Sequence, residues 1–131
     1  MKEDDIRILI QYRMEQADTA LADAKFLIDG QRSPQSIVNR SYYAMFYAAL
    51  ALLQCQTKTP SKHTGVISLF DTEFVLKGVF PKELSKNFHK AFELRQKSDY
   101  RVMKKISAEQ ALDTWRKARE FVVALKNHVP P

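Results

Sequence analysis

Cysteine and glycine are scarce in this chain of 131 residues, and each shortage excludes a class of functional site. Cys55 is the only cysteine, so the chain can build neither an internal disulfide framework nor a thiolate cluster for zinc or for iron and sulfur. Three glycines, at positions 30, 65 and 78, are too few for the Gly-rich loop of a P-loop or of a dinucleotide-binding motif. A bound phosphate would therefore have to contact side chains or the N-terminus of a helix.

Long hydrophobic runs are also missing. The longest uncharged apolar stretch covers residues 42–53, well short of the roughly 20 residues that cross a bilayer as a helix. The chain opens with Met-Lys-Glu-Asp-Asp, which lacks the apolar core of a secretory signal. Together with the lone cysteine, these features predict a cytoplasmic protein without a membrane partner. His63, His89 and His128 are far apart in sequence, so we expect no metal site and no cofactor.

Positive charge is in excess: 21 lysines and arginines against 15 acidic residues give a net charge of +6. The excess is uneven, because residues 1–30 carry four basic and seven acidic groups whereas residues 82–105 carry eight basic and three acidic ones. An anionic partner would be drawn to residues 82–105, although a lysine-rich helix face is also typical of an ordinary solvated surface. Besides Arg95, the cations there are Lys82, Lys86, Lys90 and Lys97, which share one predicted helix face, followed by Arg101, Lys104 and Lys105.

Apolar residues recur at helical spacing in five segments, and no segment alternates strictly enough to predict a strand. The first helix is expected to close at Gly30, which can adopt the left-handed conformation. Ser33 and Pro34 predict the cap and first turn of a second helix over residues 34–55, whose middle is apolar almost all round. A third helix is predicted over about 62–76, with Ser61 as its cap.

Pro81 separates the third helix from a fourth, and the capping-box pattern of Ser107 and Gln110 begins a fifth helix that ends before Pro130. The connections are short, so we expect one all-α domain, an up-and-down bundle of four or five helices. The stripes expected to face its core are Ile6, Ile10, Met14, Ala17, Leu21, Ala24 and Ile28 in the first helix, Leu84, Phe88, Ala91 and Phe92 in the fourth, and Ala108, Ala111, Leu112, Trp115, Ala118, Phe121, Val122 and Leu125 in the fifth.

One candidate site lies on the second helix, where Arg40, Tyr43, Tyr47 and Gln54 follow one stripe. Phenols beside a cation could contact a nucleotide base or phosphate, although tyrosines on a buried helix also serve simply as packing. An arginine beside an apolar helix needs an anion or a carboxylate as its partner.

A second candidate site lies on the fourth helix, where Arg95 and Asp99 are four residues apart and can form a local ion pair. In an up-and-down bundle the start of the third helix and the end of the fourth share one end. We therefore expect His63 to approach Arg95 and Asp99. Arg40 is expected nearer the opposite end, unless a second subunit brings another copy across.

Three segments carry a family resemblance. Residues 39–49 read Asn-Arg-Ser-Tyr-Tyr-Ala-Met-Phe-Tyr-Ala-Ala, residues 61–65 read Ser-Lys-His-Thr-Gly, and residues 94–100 read Leu-Arg-Gln-Lys-Ser-Asp-Tyr. Together they resemble the HEPN domain, whose name abbreviates higher eukaryotes and prokaryotes nucleotide-binding. The resemblance covers about 5–127 and implies that the whole chain, 1–131, is a single HEPN-like helical domain.

The resemblance also implies partners and site residues. It implies a homodimer that binds a nucleotide or RNA, often encoded beside a small nucleotidyltransferase as a toxin and antitoxin pair. On this basis the candidates for nucleotide or RNA binding are Arg40, Tyr43, Tyr47, Arg95, Asp99, Tyr100 and Arg101, and the candidates for catalysis are Arg95, Asp99 and His63.

Catalytic HEPN members are metal-independent ribonucleases in which an arginine is followed, after four to six residues, by a histidine. Counting from Arg95, those positions hold Tyr100, Arg101 and Val102, and no other arginine has a histidine at that spacing. Asp99, near the place of the missing histidine, would be an ionised carboxylate beside Arg95 and hence a poor proton donor. If the protein is an enzyme, the resemblance implies a metal-independent ribonuclease, but the missing motif argues against cleavage. The alternative is a non-catalytic dimeric module for protein interaction.

Overall fold

The computed structural model describes residues 3–56, 63–99 and 105–130, and in these ranges the chain forms five α-helices and no strand. The predicted all-α helical bundle is therefore confirmed. The helices are α1 (Glu3–Asp29), α2 (Pro34–Gln54), α3 (His63–Phe70), α4 (Lys82–Asp99) and α5 (Ala108–Lys126), and a π-helical turn (Asp71–Val75) follows α3 directly.

Local side-chain chemistry explains where α2 and α5 begin. The Ser33 hydroxyl accepts a hydrogen bond from the backbone N–H of Ser36 at 3.4 Å, with Pro34 in the first turn as predicted. Ser107 and Gln110 form the predicted capping box, in which each side chain accepts from the other residue's backbone N–H at 3.0 Å. These caps pair N–H groups that would otherwise lack a partner in the first turn.

The end of α1 differs from the prediction by one residue. The left-handed residue is Gln31, with φ 52°, rather than Gly30. The backbone N–H of Arg32 donates to the carbonyl of Leu27 at 2.9 Å, and that of Gln31 donates to Ile28 at 3.0 Å. This pair of bonds defines a Schellman ending, whose left-handed position falls on the residue after glycine.

The third predicted helix, over about 62–76, is shorter than expected, because the α-helical pattern ends at Phe70. In the π-helical turn the backbone N–H of Leu76 donates to the carbonyl of Asp71 at 2.8 Å, five residues earlier. Gly78 then reverses the chain at φ 79°, a conformation that favours glycine. The predicted cap, Ser61, lies outside the described residues.

The core joins small residues between α1 and α2 to an aromatic group in the centre of the bundle. Ala17 and Ala48 are completely buried, and such small side chains let two helices approach closely. Phe121 of α5 lies with its ring centroid 5.0 Å from that of Phe88 and 5.2 Å from that of Phe70. The predicted stripes face this core, except that Ala108, in the first turn of α5, is exposed.

The four long helices run up and down, and α3 does not span the bundle. The eight residues of α3 rise only about 12 Å, so α4 begins at the end of the bundle where α2 finishes. The end of α4 consequently returns to the beginning of α2. A second buried cluster marks this shared end of the bundle, and its members are Ala24, Ile37, Val38, Leu94, Ala111 and Trp115.

Candidate functional site

The stripe predicted on α2 lies half-buried at the surface. Arg40, Tyr43 and Tyr47 are each partly exposed along one face of the helix. The Arg40 guanidinium carbon lies 5.1 Å from the centroid of the Tyr43 ring, and the Tyr43 and Tyr47 centroids are 5.8 Å apart. The helical spacing of these residues therefore produces a continuous cationic and aromatic surface. Gln54, predicted on the same stripe, is buried.

Arg95 of α4 meets the same tyrosines. Its guanidinium carbon lies 5.1 Å from the Tyr43 centroid and 5.3 Å from the Tyr42 centroid. The expectation that Arg40 lies at the opposite end of the bundle from Arg95 is wrong. Because α3 is too short to return the chain to the other end, the last turns of α4 pack beside the first turns of α2. We call Arg40, Tyr42, Tyr43, Tyr47 and Arg95 the Arg–Tyr cluster.

Tyr42 is the fully buried member of this cluster. Its side chain has no exposed surface, and its ring lies 5.3 Å from Tyr43 and 5.7 Å from Phe92, centroid to centroid. Burial raises the pKa of Tyr42 far above the usual value of a phenol, and the positive charge of Arg95 offsets only part of that rise. Tyr42 therefore stays neutral at physiological pH and serves to position Tyr43 and Arg95.

Arg40 faces open space with a neutral hydrogen-bond partner. Its Nε and Nη2 atoms donate to the Asn39 side-chain oxygen at 3.2 and 3.0 Å, and within the described ranges it forms no ion pair. With Tyr47 it lines a groove of about 270 Å³ against α1, whose other wall includes Tyr12, Glu15 and Asp23. The guanidinium of Arg40 can pair with an anion, but Glu15 and Asp23 in the wall of the same groove oppose anion binding there.

Several predicted site residues cannot be placed beside the cluster. His63 begins α3 and Asp99 ends α4, but the side chains of both lie outside the described residues, as do Tyr100 and Arg101 entirely. The pairing of Arg95 with Asp99 and the approach of His63 to them thus stay predictions. Of the predicted lysine face, Lys82, Lys86, Lys90 and Lys97 are all exposed along α4.

The structure also brings together a polar group that the spacing along the chain did not reveal. Asp71, in the π-helical turn, accepts a hydrogen bond from the Ser85 hydroxyl at 2.6 Å and contacts His89 Nε2 at 2.7 Å. Ser85 and His89 lie one turn apart on α4, but Asp71 is 14 and 18 residues away from them in sequence. The carboxylate lies between serine and histidine, so the group lacks the order of a hydrolytic triad, in which histidine lies in the middle.

Two further features bear on the class of protein. Within the described ranges, no set of three or more histidine, cysteine or acidic side chains is placed to hold a metal ion. No helix in the same ranges combines the length and hydrophobicity needed to cross a bilayer.

An up-and-down helical bundle with arginines from two helices on one tyrosine ring defines a small all-α protein with a cationic and aromatic surface site. The chain belongs to the HEPN family, because the HEPN domain model matches residues 10–128.

The chain is similar to several curated proteins over most of its length. A UPF0332 protein of Thermotoga maritima is 40% identical over 90% of this chain and 89% of its own. A protein of Methanocaldococcus jannaschii named "Putative toxin MJ0605" is 35% identical over 93% of this chain and 90% of its own. A UPF0332 protein of Archaeoglobus fulgidus is 31% identical over 92% of this chain and 94% of its own.

Proposed function

We propose that this chain is a toxin-like HEPN protein that binds a nucleotide or an RNA strand at the Arg–Tyr cluster. The observation that carries the proposal is the position of two guanidinium groups, those of Arg40 and Arg95, each 5.1 Å from the centroid of the Tyr43 ring. The name of the relative from Methanocaldococcus jannaschii supports the toxin-like part of the proposal.

The chemistry of the cluster suits a phosphate beside a base. Two guanidinium groups on one ring repel each other, and an anion bound between them relieves that repulsion. Guanidinium groups present forked donors that match phosphate oxygens. The half-exposed rings of Tyr43 and Tyr47 offer aromatic surface on which a base can stack, which contributes roughly 1–3 kcal/mol per base in single-strand binding.

The proposal is limited to binding. No arginine of the chain has a histidine at the spacing of the family's ribonuclease motif. Tyr42 is neutral at physiological pH because of its raised pKa, so it does not replace the missing base. The alternative hypothesis to exclude is therefore a metal-independent ribonuclease that uses Arg95, Asp99 and His63. We expect purified protein of verified fold to leave structured RNA and transfer RNA intact.

We also propose the partners that the family resemblance implies. These are a second copy of the chain, forming a homodimer, and a small nucleotidyltransferase that acts as the antitoxin, both in the cytoplasm. Co-expression of the chain with the product of a neighbouring nucleotidyltransferase gene, followed by co-purification, tests the second partner. Sedimentation of the chain alone tests the first, and a monomer at high concentration would contradict it.

The binding proposal is tested by titrating a labelled single-stranded RNA with the wild-type protein at two salt concentrations. Arg40→Ala and Arg95→Ala are each expected to weaken binding by about tenfold, since hydrogen bonds to charged groups contribute roughly 1.5–3 kcal/mol. Arg116→Ala is the matched control, because Arg116 is exposed on α5 outside the cluster. If neither RNA nor a mononucleotide binds, with or without the partner, the proposal is wrong.

A non-catalytic interaction module is the second candidate. The face of α2 that carries the cluster also leaves Phe46 and Leu50 half-buried, and neighbouring Tyr12 on α1 is 53% exposed. A protein partner could cover this apolar surface. On this view Arg95→Ala would lower the stability of the bundle and leave binding of RNA unaffected.

A further inference from the structure

Asn39 holds the guanidinium of Arg40 by one edge. The Asn39 side-chain oxygen accepts hydrogen bonds from Arg40 Nε at 3.2 Å and from Arg40 Nη2 at 3.0 Å. A guanidinium offers only donors, so the amide atom that faces it must be the oxygen and not the NH2 group. The two bonds occupy the Nε–Nη2 edge of the guanidinium. The outer edge, formed by Nη1 and Nη2, keeps donors for another acceptor.

Tyr43 gives Arg40 a second fixed contact. The Arg40 guanidinium carbon lies 5.1 Å from the centroid of the Tyr43 ring, and the side chains of Asn39 and Arg40 are both half-buried. An arginine has several rotatable bonds, and ordering them costs free energy that a ligand otherwise has to supply when it binds. Because Asn39 and Tyr43 order the side chain before a ligand arrives, Arg40 is preorganised for binding.

The partner that orders Arg40 is neutral, and this preserves the positive charge of the guanidinium. The ion pairs found within the described ranges are all made by other residues. A carboxylate at position 39 could accept the same two hydrogen bonds, but its negative charge would offset the attraction of Arg40 for an anion. An amide at this position therefore combines an ordered guanidinium with an undiminished charge.

Arg40 lies between two grooves of different electrostatic character. One is the groove against α1, whose wall includes Glu15 and Asp23. The other is a cleft of about 440 Å³ at the start of α2, and among the described residues no acidic side chain lines it. Its wall consists of Leu27, Gln35, Ser36, Asn39 and Arg40. Asn39 lines only this second cleft, so its hydrogen bonds hold the guanidinium on the side where an anion meets no opposing charge.

We propose that Asn39 is a positioning residue of the nucleotide site, which orients the Arg40 guanidinium without neutralising it, so that the outer edge of Arg40 binds a phosphate of the strand. The inference rests on the proposed function for the identity of the ligand. The orientation of Arg40 rests on its two hydrogen bonds to Asn39 and its contact with Tyr43.

The first test measures the orientation of Arg40 without any RNA. The Arg40 Nε–H signal is followed by NMR in the full-length protein, and its loss in Arg40→Lys identifies it. Asn39→Ala removes the acceptor, so exchange of this proton with solvent is expected to accelerate by about threefold or more. Equal exchange rates in the wild type and in Asn39→Ala would overturn the proposal.

The second test compares two substitutions of Asn39 in oligouridylate binding. Asn39→Ala leaves Arg40 charged but not ordered. It is expected to weaken binding by about two- to tenfold, the range for ordering one flexible side chain, with an unchanged dependence on salt. Asn39→Asp keeps the acceptor oxygen but pairs Arg40 with a carboxylate. It is expected to weaken binding by about tenfold or more and to reduce the slope of log affinity against log salt by about 0.7, the value for one phosphate contact on a single strand.

Asn127→Asp is the matched control, because it adds the same charge at an exposed residue at the end of α5, at the other end of the bundle from Arg40. Equal affinities of Asn39→Asp and Asn127→Asp would contradict the proposal. The melting temperature detects a merely structural role. An arginine pairs with a carboxylate at least as well as with an amide, so Asn39→Asp is expected to keep the wild-type melting temperature. If Asn39 only stabilises α2, Asn39→Ala lowers the melting temperature and leaves the affinity unchanged.

The two proposals fail in different ways. If oligouridylate binds and Arg40→Ala weakens binding, but both variants of Asn39 bind like the wild type, the role of Asn39 is wrong and the proposed function stands. If neither RNA nor a mononucleotide binds while Asn39→Ala still accelerates exchange at Arg40, the proposed function and the phosphate ligand are wrong, and only the orientation of Arg40 by Asn39 stands.

Discussion

The guanidinium of Arg95 lies 5.1 Å from the ring centroid of Tyr43, although the two residues are 52 positions apart in a chain whose helices connect in simple sequence order. Tyr43 is the first residue of the partly exposed aromatic surface of α2. Arg95 is the last residue with a described side chain on the face of α4 that packs against α2. The two signature segments to which Tyr43 and Arg95 belong therefore meet at the end of the bundle where α2 begins and α4 ends.

The contact predicts a difference between two substitutions of Arg95. Arg95→Lys keeps the positive charge but loses the planar guanidinium that lies over Tyr42 and Tyr43. We expect Arg95→Lys to retain part of the RNA affinity at low salt, and Arg95→Ala to lose about tenfold, because the fork geometry and the charge contribute separately. Fluorescence anisotropy titrations measure both. Equal affinities for wild type and Arg95→Ala would count against a role of Arg95 in binding.

The burial of the Tyr42 phenol predicts how the free energy of unfolding depends on alkaline pH. Its pKa is raised in the folded protein by burial, whereas in the unfolded chain it is about 10. The folded state therefore holds this proton more tightly, and the corresponding stability is present below about pH 10 and is lost as the pH rises above it. Urea unfolding between neutral and alkaline pH should show this loss. Tyr42→Phe, which has no proton to release, should show a smaller loss over the same range.

The contacts of Asp71 in the π-helical turn predict how much this side chain contributes to the free energy of unfolding. Its carboxylate joins Ser85 at 2.6 Å and His89 at 2.7 Å, with side-chain exposures of 28% for Asp71 and 49% for His89. Because these contacts are partly exposed, Asp71→Asn is expected to lower the free energy of unfolding by only about 1 kcal/mol. Asp113→Asn is the control, since its pair with Lys117 is a surface contact along one helix and should contribute at most about 0.5 kcal/mol.

Truncation of the buried Phe121 side chain is expected to cause the largest loss of stability among these substitutions. It is completely buried among Phe70 and Phe88, with centroid distances of 5.2 and 5.0 Å. Phe121→Ala is expected to lower the free energy of unfolding by about 3–5 kcal/mol, because it leaves a cavity between three elements of the bundle. Val123→Ala, at a site 55% exposed on the same helix, should change it by less than about 0.5 kcal/mol. Similar losses for both variants would contradict the central position of Phe121.

The sequence contained most of the information about the helices. Pro34 after Ser33, and Ser107 with Gln110, are chemical signals that act within one turn, so the starts of α2 and α5 could be predicted. The end of α3 could not be predicted, because the change from α-helix to a π-helical turn at Asp71 accompanies contacts with Ser85 and His89, which come from another helix. The left-handed residue at the end of α1 is Gln31 and not the predicted Gly30, because the Schellman hydrogen bonds put the left-handed position one residue after the glycine.

For the site, the sequence alone determined which residues are suited to bind an anion: arginines and tyrosines at helical spacing, with signatures similar to those of the HEPN family. Only the tertiary structure decided which of them meet. A short α3 turns α4 back along α2, so Arg95 lies on the ring that Arg40 already contacts. This result depends on the lengths and packing of several helices together, which no local pattern specifies.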